Sequence, residues 1–356
     1  MLIFMRLLLL TTVLILNFTG CKNQREYIHN EGFIFGTVYN IKYESKNGDL
    51  HKEIKKLLFE VNKSLSPFDT SSIISRFNNG EDKVFADSFF VDVFNKSVEI
   101  SNLTDGAFDI TIAHLINLWG FGFEKYDTIT HEIIDSLMQF TGMEKVYISD
   151  GIIKRKKDGI MLNASAIAKG YGVDVVANFL KQSGLKNFMV EIGGEISASG
   201  VNQKKNPWRI GIENPLKTDI VEPNNHKSTK NLENKEFKII VKLSEKSMAT
   251  SGNYNNFREI NGKNYGHTID PRTGYPVQPS FLSATIIASD CMTADAFATV
   301  CMVIGLEKSM ELLEKTDNVE GLFIFEKEDT SEIDVAFTSG FENYIYFSSV
   351  TAKGQQ

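Results

Sequence analysis

The feature that most constrains this chain is an alternation of two hydrophobic periods along its length, with no internal repeat that would indicate a solenoid or propeller. FIFGTVYNIKYE (Phe33–Glu44) alternates apolar and polar residues, as a half-buried strand does, whereas His51–Leu65 carries helical spacing. Val91–Asn102 reads as a second helix, ending at the turn Asp105-Gly106. A third helix spans Ala166–Ser183 and stops at Gly184; the apolar strand Phe188–Ile192 and a Gly193-Gly194 turn follow. Near the end, a helix from Met292 to Val303 and onward to Leu313 is followed by closing strands over Gly321–Glu326 and Tyr344–Phe347. Such a mixture predicts a mixed α/β or α+β domain. With 42% hydrophobic and 11% aromatic residues in 356, the chain can bury a sizeable core.

Targeting signals come off before the fold is read. Arg6 precedes the apolar run Leu7–Leu16, and Phe18-Thr19-Gly20 lead directly into Cys21. A run this short does not cross a bilayer, which needs about 20 apolar residues, but it suits a signal-peptide core. Small residues before a cysteine resemble a bacterial lipobox, so residues 1–20 are expected to be a lipoprotein signal peptide and Cys21 the lipidation site. An ordinary signal peptide with an incidental cysteine is the alternative. Residues 21–30 then read as a polar linker and 31–350 as the folded domain. The polar stretch 215–236 reads as a surface insertion between two strands.

The 38 Lys and Arg against 45 Asp and Glu leave a formal charge of −7, which offers no electrostatic footprint for nucleic acid. An anionic ligand must therefore be held by local positive charge or by a metal. Cys291 and Cys301, the two cysteines left after Cys21, can be paired or remain buried thiols. No GxGxxG after a strand, GxxxxGK[ST], HExxH or CxxC occurs, which argues against a Rossmann site, a P-loop and the common zinc sites.

Three polar clusters stand out. In TADAFAT (Thr293–Thr299), Asp295 and Thr299 are four apart on a helix, so a carboxylate and a hydroxyl face one way and suit Mg2+ or Ca2+; a cap or a solvated face is the alternative. In HTIDPRTG (His267–Gly274), His267 is a candidate base beside a strong turn, or a structural histidine. In NASAIAKGY (Asn163–Tyr171), Lys169 sits at a helix start, where the dipole is already positive. That pairing makes an anion site suited to phosphate, unless the lysine only covers apolar surface.

Their joint occurrence, in order with other pieces, carries a resemblance. Phe35-Gly36-Thr37 with Tyr39, Ser66-Pro67-Phe68, Ser72 to Asn78, DGAFD (Asp105–Asp109), LWGFG (Leu118–Gly122), Ser165–Gly170, EIGGE (Glu191–Glu195), ATSGNY (Ala249–Tyr254), His267–Gly274 and Thr293–Thr299 together resemble the FAD:protein FMN transferase, or ApbE, family. The match runs from about Phe35 to Phe325.

The resemblance implies an α+β fold of two similar, tightly packed halves. It implies FAD, as substrate, against Phe35, Phe68, the Ala107, Phe108 and Asp109 segment, Asn163, Lys169 and Ile269. Mg2+ would be held by the Ala166 carbonyl, Asp295 and Thr299, and His267 would be the catalytic base. Three positions depart from the family: Phe68 stands where Tyr is frequent, Asn163 where Asp is common, and Ala298 where some members carry a second metal-binding Asp.

The activity implied is transfer of FMN from FAD to a threonine of an acceptor, releasing AMP. Acceptors would be subunits of membrane redox pumps or other secreted flavoproteins. The enzyme would meet them in the periplasm while lipid-anchored, at the inner membrane in preference to the outer. Two other readings stay open: an FAD diphosphate hydrolase, and a flavin-binding lipoprotein without catalysis.

Overall fold

Period-two burial in Thr37–Ser45 (β2), where Tyr39, Ile41 and Tyr43 face inward, is the start of the main sheet. The computed structural model describes residues 25–123, 128–213, 215, 239–252, 257–260, 263–278, 281–327 and 333–349. The strand expected over Phe33–Glu44 is interrupted: Phe35 at φ 51° and Gly36 at φ 78° reverse the chain, and Glu26–Ile34 (β1) pairs antiparallel with β2 across this tight turn. The polar segment to Asn30 is therefore not all linker. From Glu26 on it is strand, and its inward polar residue is satisfied, because Asn30 accepts from the Tyr43 hydroxyl and donates to Asp49, both at 3.0 Å. That pairing hid the strand from an apolar count.

In His51–Leu65 (α1), Ile54, Leu58, Val61 and Leu65 form one buried face. Ile73–Asn78 (α2) and Ser88–Leu103 (α3) begin at caps, with Ser72 accepting from the Ser75 N–H at 3.0 Å and Asp87 from that of Phe90 at 2.8 Å. Ala113–Leu118 (α4), His131–Met138 (α5) and a hairpin of Val146–Ser149 (β3) with Ile152–Arg155 (β4) complete this excursion. Ala168–Gln182 (α6) then leads to Phe188–Ile192 (β5) and Glu195–Ser199 (β6). Trp208–Ile212 (β7), Ile239–Leu243 (β8), Lys246–Gly252 (β9), Phe257–Ile260 (β10), Lys263–Gly266 (β11) and Ser283–Ala288 (β12) follow.

Cys291–Ile304 (α7) is buried almost all round, so it is hydrophobic without a polar face. The helix expected to continue to Leu313 stops at Gly305, at φ 81°, and Leu306–Glu314 (α8) is a separate helix. Glu320–Glu326 (β13), Ile333–Phe337 (β14) and Ile345–Ser348 (β15) close the chain. Cys291 and Cys301 are both buried free thiols, so no disulfide joins them.

Eight strands form one sheet in the order β1-β2-β5-β6-β9-β12-β13-β14, antiparallel at every step. The expected two halves are visible in it. Each runs strand, strand, helices, strand, strand, the first through β1, β2, β5 and β6 and the second through β9, β12, β13 and β14; they join where β6 pairs with β9. One face carries α6 and α7. The other is covered by the sheet β15-β8-β7, through Trp208, Ile210, Val241 and Leu243 against Ile196, Met248 and Leu322. β6 and β12 are buried on both faces and show no alternation. The signal peptide, Cys21 and residues 216–236 of the expected insertion lie outside the described residues.

Candidate active site

The site begins where α6 meets α7. A β-carbon at Gly170 would sit 2.4 Å from the Cys291 carbonyl oxygen and 2.7 Å from the Asp295 β-carbon, so only glycine lets the two helices approach this closely. Two hydrogen-bonded carboxylates use that approach. Asp295 of α7 accepts from the Gly170 N–H at 2.9 Å, and Asp174 of α6 accepts from the N–H groups of Cys291 and Met292 at 2.8 and 2.7 Å. Asp290 caps the same end of α7 through the Thr293 N–H at 2.8 Å. Burial pushes the Asp174 carboxyl up to about 7, against the pull of its two backbone donors.

Beside this junction lies a charge cluster of two buried carboxylates and a lysine that is partly open to solvent. Lys169, in the first turn of α6, forms an ion pair with Glu195 and stands 3.8 Å from Asp295 Oδ1. Glu195 opens β6 just after Gly193 and Gly194, whose φ angles of 61° and 101° turn the chain out of β5. Burial and then the Asp295 charge push the Glu195 carboxyl up, while Lys169 holds it down. For Lys169 burial acts to lower the pKa, but Asp295 and Glu195 outweigh it, so the ammonium stays charged.

These groups floor a cleft of about 830 Å3, large enough for a nucleotide-sized ligand. Phe68, Ala107, Phe108, Asp109, Asn163, Ala166, Lys169, His267, Ile269, Asp295 and Thr299, all singled out in the sequence, line it. Asn163 Oδ1 accepts from the Ser165 N–H at 2.9 Å, which shapes the loop leading into α6. Burial raises the Asp109 carboxyl, opposed by bonds from the Thr111 hydroxyl and N–H, each 2.6 Å. At the mouth, Phe68 is 70% exposed and meets Phe123 edge to face at 4.9 Å. His267 lies 6.3 Å from Phe121, ring centre to ring centre. Its loop is braced by Asp270, which accepts from Arg272 Nε at 2.9 Å and Nη2 at 2.8 Å.

Phe35 is the exception. Its ring packs over Gly172, where a β-carbon would come within 2.4 Å of it, and Thr37 and Val38 line the cleft in its place. The positive φ of Phe35 in the hairpin turn aims the ring at the helix. Sequence reasoning assigned no role to Glu195, although the GGE after an apolar strand marked it. It also missed Asn78, whose side chain clamps Leu162 by a donor at 2.8 Å and an acceptor at 2.7 Å.

The donor set suits a hard divalent cation: a carboxylate, a hydroxyl one helical turn later, and the main chain at Ala166, all on one cleft. Among the described residues no group of three or more His, Cys, Asp or Glu gathers to hold a metal, so such an ion would need ligand oxygens as well.

A continuous antiparallel sheet in an α+β fold, a cationic helix start on the cleft floor and aromatics at its mouth make a cleft suited to a phosphorylated, ring-bearing ligand. The chain belongs to the ApbE family, whose model matches residues 35–323. It is 36% identical over 334 residues to the FAD:protein FMN transferase of Vibrio cholerae serotype O1, covering 91% of this chain and 95% of that one. With the FAD:protein FMN transferase of Haemophilus influenzae it shares 33% identity, covering 87% and 90%. The solved flavin transferase ApbE from Vibrio cholerae superposes with a TM-score of 0.77 at 34% identity, covering 90% of this chain and 99% of that chain. The apo form of the Pseudomonas stutzeri flavinyl transferase ApbE gives 0.76 at 28% identity, covering 90% and 97%.

Proposed function

We propose that this member of the ApbE family moves FMN from FAD onto a threonine hydroxyl of an acceptor protein, with Mg2+ held by Asp295, Thr299 and the Ala166 carbonyl. Membership of the family and the names of its relatives make it a transferase that uses FAD and an acceptor. The observation that carries the finer reading is the meeting of Lys169, Asp295 and Thr299 on the floor of a cleft whose wall holds His267 and whose mouth holds Phe68.

Each group has a task that its position supports. The Lys169 ammonium at the start of α6 binds the diphosphate and stabilises the charge that grows there during transfer. Phe68 and Phe123 offer ring faces and edges to the isoalloxazine. His267 takes the proton from the threonine hydroxyl as its oxygen bonds to the FMN-side phosphorus, and the bond from that phosphorus to the bridging oxygen breaks, releasing AMP. Mg2+, when bound, supplies Lewis-acid neutralisation of the diphosphate. The N-terminal run ending at Cys21 supports export and a lipid anchor facing the periplasm, where subunits of membrane redox pumps are the acceptors proposed.

Incubating the protein with FAD, Mg2+ and such a subunit, and weighing the products, tests the reading. The expected result is an acceptor heavier by one FMN with AMP in equal amount, the label disappearing when the acceptor's threonine is changed to Val. Asp295→Asn, which keeps an acceptor for the Gly170 N–H, should lose Mg2+-dependent turnover and stay folded. Free FMN and AMP at the same rate with or without acceptor would assign hydrolysis instead.

A further inference from the structure

Two carboxylates compete for one ammonium on the cleft floor. The Glu195 and Asp295 side chains are 4% and 5% exposed, and Lys169 lies between them, in an ion pair with Glu195 and 3.8 Å from Asp295 Oδ1. A full ion pair to Asp295 would bring that contact to about 2.8 Å. Against such a collapse stands the nearer partner on the other side, Glu195, while the Gly170 N–H holds the far oxygen of Asp295. Glu195 itself is fixed from behind, since β6 is buried along its length and the Gly193-Gly194 turn sets its first residue. Among the described residues its second oxygen, Oε2, is buried without a hydrogen-bond partner, and Lys169 is the side chain that holds the carboxylate.

We propose that Glu195 is a positioning residue that keeps Lys169 from closing on Asp295 and so leaves the Asp295 carboxylate open to a divalent cation. The inference rests on the metal reading given above. It separates two functions that would otherwise cancel: a lysine near enough to meet a diphosphate, and an aspartate near enough to the lysine to be neutralised by it. Glu195 touches the lysine, so the part of its effect that passes through Lys169 should vanish when Lys169 is absent.

That conditional effect is measurable without turnover. Mn2+ alone, titrated into the protein and followed by electron paramagnetic resonance, reads cation binding in the wild type, Glu195→Gln, Lys169→Met and the double variant. Glu195→Gln should weaken Mn2+ binding by about tenfold, a coupling of the usual size for residues in contact. Lys169→Met should bind as tightly as the wild type or more tightly, and adding Glu195→Gln to it should change little. If Glu195→Gln weakens binding equally with and without Lys169, or not at all, Glu195 does not act through the lysine and the proposal falls. Should Glu195→Gln fail to fold, the comparison of Lys169→Met with the double variant still decides, because a tenfold loss there overturns the proposal. A wild type that binds no Mn2+, with Asp295→Asn identical to it, overturns the metal reading itself and the proposal with it.

Discussion

Asp295 uses its two oxygens differently: Oδ2 takes the Gly170 N–H at 2.9 Å, and Oδ1 faces Lys169 at 3.8 Å. It is therefore a structural group as well as a candidate ligand. Truncation to alanine would leave a buried N–H unpaired, at a cost of about 1–3 kcal/mol. The isosteric Asn variant is for that reason the cleaner probe of the metal. His267 poses the opposite case, since it stands on a loop braced by Asp270 and Arg272 and lines the cleft. His267→Ala should slow FMN transfer by about 100-fold to 10,000-fold with FAD affinity little changed, as expected for a lost general base. Single-turnover kinetics against FAD titration checks this, and lost affinity with an unchanged rate constant would make His267 a binding residue.

At the scale of elements, the α6 to α7 contact is the joint that sets the site, and Asp174 ties it. Its carboxyl is pushed up to about 7 by burial, whereas an unfolded chain returns it to about 4. Between those two pH values the folded protein holds a proton that the unfolded chain has lost. Stability from this group therefore falls as pH rises from about 4 to about 7. Glu195 is raised as well and acts in the same direction. Asp174→Asn has no proton to lose and should flatten part of the decline. Thermal unfolding of both proteins across pH 5 to 8 measures it, and parallel curves would refute the assignment.

For the molecule as a whole, the sheet begins earlier than an expected domain start at residue 31. A chain starting at residue 31 loses more than half of β1, including the Tyr27 hydroxyl bond to the Val201 carbonyl at 2.7 Å and the Asn30 bonds to Tyr43 and Asp49. Relative to a chain starting at Arg25, its melting temperature should fall by about 3–7 °C, from a loss of a few kcal/mol. Equal melting temperatures would show that β1 adds nothing to the fold. At the other end of the question is the anchor. If the lipid anchor proposed at Cys21 holds the protein, Cys21→Ala should move it from the membrane to the soluble fraction, read by fractionation and blotting. An unchanged membrane fraction would rule out lipidation at Cys21.

The sequence by itself determined the elements with one clean period, such as α1 and β5, because side-chain spacing is a local property of helix and strand. It also picked out the Asp295 and Thr299 face, Lys169 at a helix start and His267 beside its turn, since motif chemistry is written in short segments. The tertiary structure alone decided the rest. That β1 is strand depends on Asn30 meeting Tyr43 and Asp49 across a turn, and that Phe35 leaves the cleft depends on the space above Gly172. Glu195 reaches Lys169 only because β6 pairs inside the sheet while α6 packs on its face, joining residues 26 positions apart. Long-range pairing of this kind has no local period to reveal it.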